Sequence, residues 1–172
     1  QVERLLARKR EADYLRASVQ DGLRLAMIDP LTGLHNRRYG LAQLAAIAET
    51  ARKSGQAYAV MVVDLDRFKS VNDRWGHAAG DAVLMDVATR LTRNLRAGDL
   101  LARIGGEEFL IALPDTSLAD ARGIAERLCA AVEEHPVQLG AARALQVTVS
   151  IGLAVSSDSI RPDRKDTVSE IV

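Results

Sequence analysis

The sequence has little cysteine, no excess charge of either sign and no long apolar run, and each shortage excludes a class of protein. Its one cysteine, Cys129, excludes an internal disulfide and a zinc cluster. That cysteine lies in an apolar helical pattern, which favours a buried, inert thiol over a nucleophile. No apolar run approaches the roughly 18 residues that a membrane span needs. A reducing, cytoplasmic compartment fits these absences best.

The charges balance, with 23 Lys and Arg against 23 Asp and Glu. No overall positive field therefore indicates nucleic acid or an anionic membrane as a partner, and any phosphate must be bound by a local site. With 172 residues and 48% hydrophobic content, the chain can bury a real core, which predicts one domain plus an appendage. The start at Gln1, without Met or a signal-like segment, indicates a piece of something longer, such as the cytosolic part of a larger protein.

The first residues form an amphipathic pattern that predicts a helix over 2–27, the main part of a linker spanning 1–28. Apolar residues fall seven apart, at Leu5, Ala12, Val19 and Ala26. The companion heptad positions are partly filled by charged residues, so the repeat is incomplete. Two interpretations stay open, namely a short parallel coiled coil below an upstream domain and a helix packed on its own domain. Asp29-Pro30 ends the helix.

The rest of the chain, 29–172, alternates apolar strands with amphipathic helices. The patterns predict helices over 37–54, 67–75, 82–95 and 118–134, a break over 76–81, strands over 57–63, 100–104, 109–113 and 145–155, and a short last helix from Thr167. Asn36 is the expected N-cap of the first of these helices and Gly55 its end. Strand 57–63 is apolar on both faces, as in a sheet covered by helices on each side. The fold class predicted is α+β, or mixed α/β.

Gly105 and Gly106 separate two apolar strands and predict a two-residue hairpin turn, because both positions of such a turn need positive φ. Glu107 and Glu108 would then follow on opposite faces of the second strand. A turn without side chains also lets a bulky ligand approach the backbone closely. On these residues alone, a surface hairpin with solvated glutamates is equally open.

An acid also stands at the end of the central strand, at Asp64. If that strand and the hairpin are neighbours, Asp64 and Glu107 meet. Carboxylates gathered in this way repel one another unless a divalent cation lies between them. Oxygen ligands without His or Cys favour Mg²⁺ or Mn²⁺ over zinc. Mg²⁺ bound by few carboxylates keeps positions for substrate phosphates, as phosphoryl and nucleotidyl transfer require.

These acids lie in blocks that resemble those of the GGDEF-domain diguanylate cyclases, in particular the response-regulator type. The signature is present in its GGEEF form, Gly105-Gly106-Glu107-Glu108-Phe109. Further blocks match in order and spacing: Asp29-Pro-Leu-Thr-Gly-Leu-His-Asn-Arg-Arg38, Asp64-Leu-Asp-Arg-Phe-Lys-Ser-Val-Asn-Asp-Arg-Trp-Gly-His-Ala-Ala-Gly-Asp81 and Val147-Thr-Val-Ser-Ile-Gly152. The resemblance covers 29–172 and implies a central, mostly antiparallel sheet flanked by helices, like the nucleotidyl-cyclase and polymerase palm.

The resemblance also implies roles for individual residues. Asp64, the Leu65 carbonyl and Glu107 would hold two Mg²⁺ or Mn²⁺ ions on the phosphates of GTP. Glu107, or less so Glu108, would help deprotonate the attacking 3′-hydroxyl. The other residues implied to bind substrate are Asn72 and Asp81 at the guanine, Lys69 at the phosphates, and Phe68, Gly105 and Gly106. The alternatives are a helix cap for Asp81, a capping imidazole for His77, a solvated cation for Lys69 and a structural role for Asp66.

The reaction that the resemblance implies converts two GTP into cyclic di-GMP and two pyrophosphates. Because each domain would bind one GTP, it also implies a homodimer in which two domains face one another. The linker helix would then set the distance and orientation of the two active sites.

A product site is implied by Arg96-Ala-Gly-Asp99, which stands at the position of the family's RxxD inhibitory motif. Arg127 matches an arginine that supplies a second contact to the dinucleotide in relatives. Guanidinium groups suit this task because they stack on guanine and fork onto phosphate. Structural ion pairs with nearby acids are the alternative for both arginines.

The chain departs from the family at its end. Family members continue with an Ala-Asp-x-Ala-Leu-Tyr-x-Ala-Lys-like segment and a Gly-Arg-Asn-like ending, so the resemblance implies that a C-terminal segment is missing after Val172. The consequences expected for this fragment are weak GTP binding and loss of activity. The alternative function is a non-catalytic receptor for cyclic di-GMP or GTP, and a helical dimerisation module without ligand is a third.

Overall fold

The computed structural model describes residues 27–140 and 143–156, together with Lys9 and Gly22. The linker helix predicted over 1–28 and the last helix predicted from Thr167 lie outside the described residues, apart from helical backbone at Lys9, Gly22 and Met27. Within these ranges, no helix is long and apolar enough to cross a membrane.

The described residues form seven strands and four helices of at least one full turn. The strands are β1 (His35–Asn36), β2 (Tyr58–Leu65), β3 (Leu100–Arg103), β4 (Glu108–Pro114), β5 (Val137–Gln138), β6 (Ala144–Leu145) and β7 (Val149–Ser156). The helices are α1 (Arg37–Ser54), α2 (Phe68–Trp75), α3 (His77–Arg93) and α4 (Leu118–Glu133).

Five of the strands form the central sheet, in the order β1-β3-β4-β2-β7. Every pairing in it is antiparallel except that of β1 with β3. Strands β5 and β6 make a separate two-stranded ribbon. The predicted fold class, a mostly antiparallel sheet flanked by helices, is confirmed.

The main core lies on the face of the sheet covered by α3 and α4. It is built from alternate residues of β2 and β4, because every second side chain of a strand points the same way. The most enclosed large side chains of this core include Met61, Val63, Phe109, Ile111 and Leu113. On the other face, α1 covers a smaller cluster of Leu100, Leu110 and Ala112. Val62 on that face is still 40% exposed, so α1 covers only part of it.

Helix α1 has the predicted bounds. Its N-cap is Asn36, whose side chain accepts a hydrogen bond from the Tyr39 amide at 3.0 Å. It ends at Gly55, whose φ of 71° is the left-handed conformation that a glycine C-cap adopts without strain.

The break predicted over 76–81 is wrong. Only Gly76 interrupts the chain, with φ of 83°, and α3 begins at the next residue, His77. A second glycine, Gly80, is accommodated inside α3 and buried there. Asp81 therefore lies within the helix and is not its cap, and His77 does not cap it either, since the N-cap is Gly76 and no side-chain capping bond is present.

The two-residue turn at Gly105 and Gly106 is also wrong. Residues 104–107 connect β3 to β4, and neither glycine has positive φ. Backbone hydrogen bonds from the Ile104 and Gly105 amides to the Glu108 carbonyl close the turn, at 2.9 and 3.3 Å. Gly105 leaves room for the Glu108 side chain instead, because a Cβ there would lie 2.2 Å from the Glu108 carboxylate and 3.2 Å from Glu108 Cβ.

Candidate functional site

The end of β2 lies beside the turn that joins β3 to β4. Asp64 is in register with Glu108 on β4, and the Leu65 amide donates to the Glu107 carbonyl at 3.3 Å. Asp64 and Glu107 are half-buried, whereas Glu108 is exposed. The central strand and the hairpin are therefore neighbours, and the backbone of Asp64 lies beside that of Glu107 and Glu108, as predicted.

These three carboxylates have no neutralising partner in the part of the chain that the structure describes. None of them forms a hydrogen bond or an ion pair with another described residue. The neighbouring Asp66 differs, because Thr148 and Ser150 each donate a hydroxyl to it at 2.6 Å. Asp66 thus ties β7 to the end of β2, as a structural role predicts, and leaves the other three acids for a ligand.

The donor set fits a hard divalent cation. Within the described part of the chain, no group of three or more His, Cys, Asp or Glu side chains is arranged to hold a metal ion by itself. Asp64, Glu107 and the Leu65 carbonyl would supply only part of a coordination shell. Mg²⁺ is commonly bound in this way, by one or two carboxylates together with water and substrate phosphates.

Helix α2 begins directly after these acids and offers free backbone amides. Its N-cap is Arg67, in the left-handed conformation with φ of 57°, and no side chain caps the helix. The first amides of a helix lack partners within it and carry a partial positive charge, so they favour phosphate. Lys69, exposed in the first turn, adds a cation to the same end.

The predicted guanine-reading residues lie further along α2 and α3. Asn72 is half-buried and Asp81 is exposed, and neither side chain has a hydrogen-bond partner among the described residues. Phe68 was also predicted to bind substrate, but it is only 7% exposed and packs in the main core. It therefore supports the α2–α3 packing from inside.

A connection between the linker's end and the turn was not predicted. Arg103 Nη1 lies 3.2 Å and 3.3 Å from the two Asp29 carboxylate oxygens, and its Nη2 donates to the Gly106 carbonyl at 2.7 Å. Arg37, in the first turn of α1, donates to the Ile104 carbonyl at 3.3 Å. Two guanidinium groups thus hold the backbone on either side of Gly105. No local sequence pattern signals this contact, because Asp29 and Arg103 are 74 positions apart.

Asp29 is held in its charged form. Burial acts to raise its pKa, but hydrogen bonds from the Thr32 hydroxyl and amide, and from Arg103, outweigh burial and hold the pKa below the ordinary value of 3.8. A carboxyl whose pKa falls on folding stabilises the fold above its unfolded pKa, and this stabilisation is lost as the pH drops through the folded pKa.

We therefore expect Asp29→Asn to lower the free energy of unfolding at pH 7 by roughly 1 kcal/mol. The difference from the unchanged protein should shrink as the pH falls below the ordinary value of 3.8 and through the lower pKa of folded Asp29. Denaturant unfolding at a series of pH values measures both. If the difference in the free energy of unfolding stays constant from neutral to acid pH, Asp29 does not have a lowered pKa in the folded protein.

The residues predicted to bind product lie near the end of the hairpin that is remote from the Gly105-Gly106 turn. Arg96 Nε donates to Asp99 at 2.8 Å, and its Nη2 donates to the Thr116 hydroxyl at 3.0 Å and to the Pro114 carbonyl. Arg127 on α4 donates to the Asn94 carbonyl at 3.0 Å. The ion-pair alternative therefore holds for Arg96 in this state, while the Arg127 guanidinium is exposed and held by one bond.

Cys129 is half-buried on α4, packed against the main core. Burial, and then the charges of Asp66 and Glu133, raise the pKa of its thiol. The thiol therefore stays protonated at neutral pH, which agrees with the predicted inert side chain.

Comparison with known proteins identifies relatives over nearly the whole chain. Residues 26–171 match the family described as diguanylate cyclase, GGDEF domain. Response regulator PleD from Caulobacter vibrioides is 45% identical over 157 residues, which are 91% of this chain and 35% of PleD. Diguanylate cyclase DgcP from Pseudomonas aeruginosa is 38% identical over 88% of this chain and 22% of DgcP. The chain thus spans about a third or less of the length of these curated relatives.

Solved structures show the same fold. The coiled coil and GGDEF domain of DgcB from Caulobacter crescentus, in complex with c-di-GMP, superposes with a TM-score of 0.83 at 28% identity, over 90% of this chain and 82% of that one. Diguanylate cyclase SiaD from Pseudomonas aeruginosa, in complex with its activator SiaC, gives 0.73 at 41% identity, over 91% and 61%. The chain belongs to the family of diguanylate cyclase GGDEF domains.

Proposed function

We propose that this domain condenses two GTP into cyclic di-GMP with release of two pyrophosphates. The observation that carries the proposal is that the strand end with Asp64 lies beside the turn with Glu107, and that no described residue neutralises either carboxylate. Because both acids are present, an enzyme is favoured over a non-catalytic receptor that lacks its catalytic acids.

Two Mg²⁺ or Mn²⁺ ions would be held by Asp64, the Leu65 carbonyl and Glu107. Bound there, they supply charge stabilisation for the triphosphate during displacement at the α-phosphorus. The chain's own groups do the rest. The first amides of α2 and Lys69 bind phosphate oxygens, and Glu107 accepts the proton of the attacking 3′-hydroxyl, with Glu108 as the weaker candidate.

Guanine would be read by Asn72 and Asp81. A carboxylate accepts hydrogen bonds from the base N1–H and the N2 amine, a donor pattern that adenine lacks. Both side chains are without protein partners in the described residues, so neither must break an existing bond to contact the base.

A homodimer is part of the proposal, because one domain offers one nucleotide site and the product needs two. The DgcB structure that this chain resembles includes a coiled coil, which supports a linker role for 1–28 below an upstream domain. We place the protein in the cytoplasm, where the single half-buried thiol of Cys129 fits a reducing environment.

Product inhibition through Arg96, Asp99 and Arg127 is also proposed. The bound c-di-GMP of the DgcB structure supports recognition of this dinucleotide by relatives. Immobilising the two domains away from each other would couple product binding to loss of turnover.

Arg127→Ala is expected to weaken cyclic di-GMP binding by about tenfold, because it removes one forked cation from the product and only one bond from the protein. Turnover at low product should be unchanged. Arg122→Ala, another exposed arginine of α4, is the matched control. Arg96→Ala removes the Asp99 and Thr116 contacts as well, so its product affinity must be read beside its melting temperature. Equal affinities for the Arg127 and Arg122 variants would remove Arg127 from the site.

The direct test of the function is incubation of purified protein containing these residues with GTP and Mg²⁺. Release of pyrophosphate together with a cyclic dinucleotide supports the proposal. Binding of cyclic di-GMP or GTP without any pyrophosphate would instead support the receptor alternative.

A further inference from the structure

Gly80 occupies an unusual position for a glycine. It is buried in the interior of α3, where glycine is the poorest helix former after proline. Its φ is not positive, so no backbone conformation requires it. The reason for a glycine at this position must therefore lie in the side chains packed around it.

The surroundings of Gly80 are set by two side chains of α2. A Cβ placed on Gly80 would lie 2.0 Å from the terminal Oδ1 of Asn72, 3.0 Å from Asn72 Cγ and 3.2 Å from Phe68 Cζ. Atoms that are not bonded do not approach to 2.0 Å, so a side chain at position 80 would force a movement. Phe68 is buried and packed in the core, whereas the Asn72 carboxamide is the free end of a rotatable side chain. Asn72 is therefore the group that would move.

The Asn72 carboxamide has nothing else to fix its direction. It forms no hydrogen bond with any described residue. Other asparagines of the fold are held by such bonds, as Asn94 is through its Nδ2 to the Arg90 carbonyl at 2.9 Å. The direction of the Asn72 amide is thus set by packing into the space that Gly80 leaves.

We propose that Gly80 is a positioning residue for base specificity, which seats the Asn72 carboxamide in the orientation that reads guanine. The inference rests on the proposed role of Asn72 in the GTP site. The orientation of Asn72 on α2 then depends on the absence of a side chain at Gly80 on α3. The close approach of these two helices also brings Asp81, the next residue of α3, to the same base.

The chain provides a matched control. Gly123 is also a glycine inside a helix, α4, and a Cβ there would meet nothing within 4 Å. Gly80→Ala and Gly123→Ala make the same chemical change and both favour the helix. Only the first displaces a side chain.

The experiment measures the binding of α,β-methylene GTP, which cannot release pyrophosphate, and of the matching ATP analogue. Gly80→Ala is expected to lose about tenfold in affinity for the GTP analogue, the value of one well-made hydrogen bond, with little change for the ATP analogue. Gly123→Ala should match the unchanged protein. In an Asn72→Ala background, Gly80→Ala should cause no further loss, because the group it displaces is already gone.

A second measurement needs no ligand. The side-chain amide signals of Asn72 in a ¹⁵N-correlated NMR spectrum should shift in Gly80→Ala and stay in place in Gly123→Ala. Unmoved Asn72 signals overturn the inference, and so does a full additional loss of affinity when Gly80→Ala is added to Asn72→Ala. If Asn72→Ala itself leaves both affinities unchanged, the proposed guanine role of Asn72 fails and the inference fails with it.

Discussion

Glu107→Gln is expected to reduce pyrophosphate release from GTP by at least about 100-fold, the usual range for losing a general base or a metal ligand. Glutamine keeps the shape of the side chain but removes its charge. Because Glu107 adjoins the end of β2 and no described residue neutralises it, the change removes half of the paired charge that would hold the cations.

Binding of cyclic di-GMP at the proposed Arg96 site should survive this substitution. Arg96 and Asp99 precede β3, whereas Glu107 follows it, so the two sites lie at opposite ends of the hairpin. Glu49→Gln, on the exposed C-terminal half of α1, is the control for loss of a glutamate and should keep full turnover. Glu108→Gln should reduce turnover less than Glu107→Gln. If Glu107→Gln keeps its turnover, Glu107 is neither the general base nor a required metal ligand.

Elements whose ends are fixed by local interactions could be predicted from the sequence. Helix α1 was placed correctly because Asn36 caps it through a contact three residues away and Gly55 ends it through its own backbone. The position of Asp64 beside the hairpin was also predictable, since a strand that is apolar on both faces lies centrally in a sheet.

Two glycine assignments failed for one physical reason. The sequence shows that a glycine is present but not whether the backbone or the surrounding space requires it. At Gly105 and Gly80 the requirement is space, for the Glu108 carboxylate and the Asn72 carboxamide respectively. That requirement comes from residues packed by the tertiary fold, and no local pattern encodes it.

The role of Arg103 was missed for a related reason. Strand β1 pairs in parallel with β3, with Asn36 opposite Arg103, and this pairing carries the 29–36 segment alongside the hairpin. Strand β1 has only two residues, which is too short for a strand pattern to be recognised in the sequence. Without that pairing, Asp29 and Arg103 are 74 positions apart and nothing in the sequence joins them.

Arg103→Gln is expected to lower the free energy of unfolding by about 2 kcal/mol, because it leaves the largely buried Asp29 carboxylate without its ion pair. The Asp29 and Arg103 side chains are 18% and 15% exposed, so solvent compensates only part of the loss. For a domain of this size the melting temperature should fall by roughly 4–8 °C. Arg93→Gln, at the exposed end of α3, should change neither quantity measurably.

Turnover should also fall, by about tenfold, because Arg103 donates to the Gly106 carbonyl and so holds the backbone next to Glu107. Stability and turnover can be separated with the double variant Asp29→Asn, Arg103→Gln. Removing both charges leaves no unpaired buried ion, so part of the melting temperature should return. The Gly106 carbonyl still lacks its donor, so turnover should not return. If turnover recovers together with the melting temperature, Arg103 affects turnover only through the stability of the fold. In that case its hydrogen bond to the Gly106 carbonyl does not position Glu107.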